Sequence, residues 1–130
     1  MVPYASNMPA HPILFRSAAL AGFLSVAFGA FGAHGLEEVL SPEGQDWWET
    51  ATQYALIHAV AAIFAAYLCH SARAAAAFLI GILLFSGTLY AMALGAPRAL
   101  GMVTPGGGVC LLLGWAFLGF SLNKRTLSGE

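Results

Sequence analysis

Two histidines in the apolar part of this chain have neighbours that could do chemistry. His34 is followed by Glu37 and Glu38, a spacing that could bring an imidazole and carboxylates to one metal ion. This ligand set is incomplete for a transition metal, so we expect no metal site. His58 follows Tyr54 by four residues. On a helix the two side chains would share one face, where they could bind a polar ligand.

No pattern in the sequence predicts an enzyme. The chain contains no phosphate-binding loop, dinucleotide-binding motif or nucleophile elbow. Haem held between His34 and His58 is excluded, because their depths in a membrane would differ by more than about 10 Å. A single axial histidine is the remaining alternative for haem. We expect no catalytic residue and no cofactor.

The elements that must position these residues are membrane helices. Hydrophobic residues make up 59% of the 130 residues and charged residues 8%, against about 45–50% and about 25% in soluble chains. Four apolar stretches are each long enough to cross a hydrocarbon core of about 30 Å. The sequence predicts an all-α fold, a four-helix transmembrane bundle within residues 13–123, with spans at 13–33, 48–69, 74–95 and 105–122. Residues 1–12 and 124–130 are expected to be tails.

Two other interpretations of these stretches are weaker. A soluble bundle would need a wide polar face on each helix, and none of the four supplies one. A cleaved signal peptide has an apolar core of about 7–15 residues, which is shorter than the first span.

The loop after the first span carries patterns of its own. In GLEEVL, residues 35–40, a helix would place the three apolar side chains on one side and the two glutamates on the other, which predicts a short helix lying in the membrane interface. Ser41 followed by proline predicts a helix N-cap, and Thr104 repeats the pattern before the last span. Trp47 and Trp48 are expected at headgroup depth. The candidates for an outer-face site are His34, Glu37, Glu38, Thr50 and Thr104.

Neutral polar residues within the spans predict a buried cluster. Counting along the helices at about 1.5 Å per residue places five of them at matching depths in one half of the bundle. Because an unpaired polar group in hydrocarbon costs several kcal/mol, these side chains should face inward and bond to one another. The predicted cluster comprises Ser25, Tyr54, His58, Ser86 and Tyr90.

Small residues recur along three spans at intervals of three and four. In lipid, helices associate by close backbone approach at such residues. The predicted helix-packing positions are Gly22, Gly29, Gly32, Gly87, Gly95, Gly107 and Gly114.

The distribution of charge predicts the orientation. An even number of spans puts both termini on one side, together with all the basic residues except Arg98. Basic residues favour the cytoplasmic side, so both termini should be cytoplasmic, in what we expect to be the bacterial inner membrane. The net charge of −1 gives no indication of a nucleic-acid partner.

Four motifs in register resemble one family. They are GAFGAHGL (29–36), TATQYALIHA (50–59), GILLFSGTLYAMAL (81–94) and LGMVTPGGG (100–108), the last followed by GW at 114–115. The chain resembles the family of small membrane proteins of unknown function that includes bacterial YgdD and eukaryotic transmembrane protein 256. The resemblance implies four helices and a membrane location, and it implies no activity.

These observations favour a non-enzymatic membrane protein that acts through association of its helices. It would be an accessory or scaffold subunit of another membrane protein, or a homo-oligomer, in the lipid bilayer. The alternative is a small transporter or channel component that uses the polar cluster around His58.

Overall fold

A computed structural model of the chain describes the backbone of residues 8–127 and the side chains of residues 8–121. It contains four α-helices: α1 (Pro12–His34), α2 (Pro42–Tyr67), α3 (Ala72–Ala93) and α4 (Thr104–Leu127). Four helical segments are long and apolar enough to cross a membrane: α1, α2, α3 and Arg98–Ser121, which includes most of α4. A 3₁₀ helix, Arg98–Met102, precedes α4. The described residues form no β-strand. The predicted all-α transmembrane bundle is therefore confirmed.

The observed helix bounds differ from the predicted spans at places where polar residues begin or extend a helix. α2 begins at Pro42, well before the apolar run at 48, because the hydroxyl of Ser41 accepts a hydrogen bond from Gly44 N at 3.0 Å. α4 continues to Leu127, so the start of the expected C-terminal tail is helical. Of the expected N-terminal tail, residues 1–7 lie outside the described residues.

The short interfacial helix predicted after α1 is not formed. Residues 35–40 make a turn instead, in which Leu36 O accepts hydrogen bonds from the backbone N–H groups of Val39 and Leu40. Leu40 is buried, whereas Glu37 and Glu38 are exposed. The segment is too short to continue beyond one turn before the capped start of α2.

The helices pack in chain order around a central pair. α2 packs against α3, α1 lies mainly on α2, and α4 lies on α3. α2 presents a face of buried alanines to its neighbours, which lets the backbones approach closely. The buried residues of this face are Ala51, Ala55, Ala59, Ala61, Ala62, Ala65 and Ala66.

Most of the predicted helix-packing glycines lie at close contacts. A Cβ added at Gly32 would lie 2.5 Å from the indole of Trp48, and one at Gly114 equally close to the ring of Phe78. At Gly107 it would meet the backbone of α3. A Cβ at Gly29 would lie 3.2 Å from the Thr52 methyl group, and one at Gly22 would make an ordinary contact of 3.8 Å with Ala59.

Two of these glycines do not pack against another helix. A Cβ at Gly87 would meet nothing within 4 Å, because this residue lies about 100° around α3 from the buried Ser86. Gly95 follows α3 with a φ of 101°, so it serves the turn rather than a helix contact. The packing role predicted for Gly87 and Gly95 is wrong.

Alternate helix directions give the bundle two chemically different ends. We give the name acidic end to the end formed by residues 34–49 and 94–104, where the α1–α2 and α3–α4 connections lie. It carries five carboxylates: Glu37, Glu38, Glu43, Asp46 and Glu49. The opposite end, the basic end, holds the start of α1 and the α2–α3 turn, with Arg16 and Arg73.

Candidate functional site

The predicted polar cluster does not form a single hydrogen-bonded network. Ser25 is buried but donates to Ala21 O of its own helix at 2.7 Å. Ser86 is also buried and donates across to Ala51 O of α2 at 2.7 Å. A serine side chain is short enough to bond a backbone carbonyl, so both hydroxyls are satisfied without one another.

His58 is buried in the middle of α2 and both of its ring nitrogens have partners. Nδ1 lies 2.6 Å from Tyr54 O, and Nε2 lies 3.2 Å from Nε1 of Trp115. An indole N–H can only donate and a carbonyl can only accept. The contacts therefore define a neutral imidazole that carries its proton on Nδ1 and accepts from Trp115 on Nε2.

Aromatic rings fill the space around His58. The ring of Tyr54 stacks on it at 5.8 Å, and the rings of Phe78 and Trp115 lie at 5.7 and 6.0 Å. Tyr54 also packs on Phe85 at 4.5 Å, although 42% of its side chain is exposed. His58 thus joins α2 to α3 and α4 in a packed contact. The pairing of His58 with Trp115 could not be predicted from the sequence, because the two residues are 57 positions apart.

Tyr90 belongs to a second, separate group. Its hydroxyl lies 2.7 Å from that of Thr52, which in turn donates to Trp48 O at 2.9 Å. Since Thr52 has one hydroxyl proton, Tyr90 is the donor in the contact between them. The Tyr90 ring packs on Trp48 at 4.6 Å and on Phe28 at 5.0 Å. This group joins α1, α2 and α3.

Trp48, which was expected at headgroup depth, has its side chain buried in the core of the bundle. Only 6% of it is exposed, and its indole N–H donates to Phe28 O of α1 at 2.7 Å. Gly32 makes room for the indole. Trp47, by contrast, is partly exposed and lies 5.6 Å below the guanidinium of Arg98, which also pairs with Glu43.

The outer-face candidates are spread over the acidic end. His34, Glu37 and Glu38 are exposed, and no group of three metal-binding side chains occurs within the described residues. Thr104 does not cap α4. It is the first residue of that helix, and its hydroxyl lies 2.6 Å from that of Thr88 on α3. Thr50 is half-buried in the wall of a groove.

This groove, which we call the polar groove, lies between α1 and α2 at the acidic end and has a volume of about 720 Å³. Glu37, Asp46 and Glu49 contribute carboxylates to it, and the side chain of Gln45 donates to Glu37 O at 2.8 Å. Thr50, Gln53 and Leu56 continue the lining along α2. The α1 side consists of Gly29, Gly32 and Ala33.

The helices and this groove define the class of the molecule: a small polytopic membrane protein whose polar side chains are largely satisfied inside the bundle. The chain belongs to the family described as "Protein of unknown function (DUF423)", whose model matches residues 28–108.

Curated relatives agree with this assignment. The chain is 39% identical over 115 residues to a UPF0382 membrane protein of Haemophilus influenzae, covering 84% of this chain and 93% of the relative. It is 38% identical over 122 residues to the UPF0382 inner membrane protein YgdD of Escherichia coli K12, covering 87% and 93%. A Staphylococcus epidermidis UPF0382 membrane protein is 39% identical over 105 residues, covering 77% and 86%. No solved structure matches the chain significantly.

Proposed function

We propose that this protein acts as a non-enzymatic accessory subunit that binds a helix of another membrane protein in the polar groove. The observation that carries the proposal is Gln53. It is exposed in the wall of the groove, and its amide makes no hydrogen bond within the described residues. It lies about 6 Å deeper than Glu49 along α2. An amide at that depth, facing lipid, would cost several kcal/mol, which a hydrogen-bonding partner would remove.

The groove also indicates the chemistry of its partner. Its three carboxylates, Glu37, Asp46 and Glu49, lie at the acidic end without an Arg or Lys among the lining residues. A partner helix with a Lys or Arg at the membrane surface would compensate this charge. Below that level, the α1 side of the groove consists of Gly29, Gly32 and Ala33, of which the two glycines already pack against Thr52 and Trp48 of α2.

Charge favours a different protein over a second copy of this chain. A two-fold pairing through the groove would set the carboxylates of both copies opposite one another at the same depth. Like charges in such positions are repulsive. A homo-oligomer through this face is therefore the weaker form of the association hypothesis.

The alternative of a transporter or channel centred on His58 finds no support in the geometry. Both ring nitrogens are engaged, and the ring is packed by Phe78 and Trp115. His58 does not line the polar groove.

Photocrosslinking in intact membranes tests the proposal. A benzophenone amino acid replaces Gln53 in one variant and, as a control, the lipid-exposed Leu83 of α3 in another. We expect one adduct of defined mass from the Gln53 position and none from the Leu83 position. The added double change Asp46→Lys and Glu49→Lys should reduce the adduct by more than half.

Two results would overturn the proposal. An adduct of twice the chain mass would establish self-association in place of an accessory role. Absence of any adduct at Gln53, with a monomer in mild detergent, would exclude both forms of association through the groove.

A further inference from the structure

A second cavity lies at the basic end, away from the polar groove. Its volume is about 540 Å³, and residues from the start of α1, the α2–α3 turn and the second half of α4 line it. This end of the bundle is at the boundary between hydrocarbon and water if the four helices span the bilayer. The lining residues used below are His11, His70, Arg73, Phe117 and Phe120.

The polar side of this cavity is cationic. Arg73 is exposed at the second position of α3, and two imidazoles, His11 and His70, lie beside it. Every carboxylate of the described residues is at or near the acidic end, so none neutralises this side. The first backbone N–H groups of α3 also lie at this end of the bundle, and the Ser71 hydroxyl caps that of Ala74. The cavity therefore favours an anion.

A contact between distant parts of the chain orders the mouth of the cavity. Nε2 of His11 lies 3.3 Å from His70 O, joining residues 59 positions apart. A carbonyl can only accept, so Nε2 carries the proton and Nδ1 is an acceptor. His70 has a φ of 50°, the left-handed conformation, and this turn of the chain after α2 brings His70 O to His11.

The other side of the cavity is apolar. Phe117 and Phe120 of α4 line it, and Phe120 is largely exposed to the surrounding lipid. A cationic side at the membrane surface next to an aromatic side facing hydrocarbon matches the two parts of a phospholipid. A soluble phosphate would use the cationic side only.

We propose that this cavity binds an anionic phospholipid of the leaflet at the basic end. Arg73 donates to the phosphate and a ring N–H of His70 contributes a second polar contact, while the first carbons of an acyl chain lie against Phe117 and Phe120. Guanidinium is well suited to phosphate, because its N–H groups match the spacing of the phosphate oxygens. The basic juxtamembrane surface of a membrane protein commonly meets anionic headgroups.

Native mass spectrometry of the full-length protein in detergent tests this inference. The probes are phosphatidylglycerol and phosphatidylcholine with identical acyl chains, added in equal amounts. We expect phosphatidylglycerol to bind preferentially, and Arg73→Gln to weaken its apparent affinity about tenfold, the loss expected for one charge-assisted hydrogen bond. Arg16→Gln is the matched control, since Arg16 is an exposed arginine of the same end that does not line the cavity.

Three results would overturn the proposal. They are equal binding of the two lipids, equal loss in Arg73→Gln and Arg16→Gln, and full competition by inorganic phosphate, which would assign a site for a small anion. If Arg73→Gln does not fold, as judged by helical circular dichroism, His70→Asn replaces it with the same expectation at a smaller loss. None of these measurements involves the polar groove, so either proposal can fail alone.

Discussion

Gly106 and Gly107 are adjacent in α4 but have different surroundings. A Cβ at Gly107 would meet the backbone of Leu84 and Phe85, which cannot rotate away, whereas one at Gly106 would meet nothing within 4 Å. Gly107→Ala should therefore force α3 and α4 apart and lower the free energy of unfolding by about 1–3 kcal/mol. Gly106→Ala should leave it unchanged or raise it by about 0.4–1 kcal/mol, because alanine restricts the unfolded chain.

Unfolding in mixed micelles with increasing sodium dodecyl sulfate, followed by circular dichroism, measures both variants. Equal stability of Gly107→Ala and Gly106→Ala would contradict the close contact between α3 and α4.

For individual residues, the sequence predicted which polar side chains are buried better than it predicted their hydrogen-bond partners. The cost of an unpaired polar group in hydrocarbon predicted that Ser25, His58 and Ser86 face the interior, where the structure has them. Depth does not determine how each helix is rotated, so the bond from Trp115 to His58 could not be predicted. The role of Trp48 was missed for a related reason: an aromatic residue near a membrane surface usually anchors there, but Gly32 opens a space for it inside the bundle.

The start of α2 illustrates how one side chain sets the length of an element. The Ser41 hydroxyl accepts from Gly44 N, Pro42 occupies the first turn and Glu43 lies at the positive end of the helix. Ser41→Ala should lower the free energy of unfolding by about 1 kcal/mol. Ser41→Asp keeps the acceptor and should preserve stability.

The same micelle titration measures this pair, and hydrogen exchange of the amides at 43–46 locates the effect. If exchange were equally slow in Ser41→Ala and the parent, the cap would contribute nothing to this turn.

The positions of the helices were predictable because the apolar stretches are long. The helix ends were not, because the first or last turn of a helix can consist of polar residues that lie outside the apolar stretch. Residues 41–43, Ser-Pro-Glu, predicted a helix cap, but the predicted span was started at residue 48, where the apolar run begins. The GLEEVL segment has a helical pattern but only six residues, and the structure makes one turn of it. A helix this short lacks the hydrogen bonds that offset the cost of starting it.

For the whole molecule, the separation of acidic and basic ends leads to a prediction of orientation. Because basic residues favour the cytoplasmic side of a membrane, the basic end should lie in the cytoplasm and the acidic end outside it. In a Cys69→Ala and Cys110→Ala background, a cysteine at Glu38 should react with an impermeant maleimide added to intact cells. A cysteine at Ala10, exposed at the basic end, should react only after the cells are opened.

Labelling of the Ala10 position in intact cells would show the opposite orientation. The cavity at the basic end would then face the outer leaflet, where the lipid composition differs.

The peripheral place of α1 has a consequence for how the molecule can be made. α1 buries only Ala18 and Ser25, rests mainly on α2, and is joined to it by an exposed turn. Each helix is stable in the bilayer by itself, and the helices associate after insertion. The covalent link between α1 and α2 therefore contributes little to the stability of the bundle compared with the contacts between the helices. Two fragments, one ending after His34 and one starting before Ser41, should therefore find each other in the membrane and rebuild the same bundle.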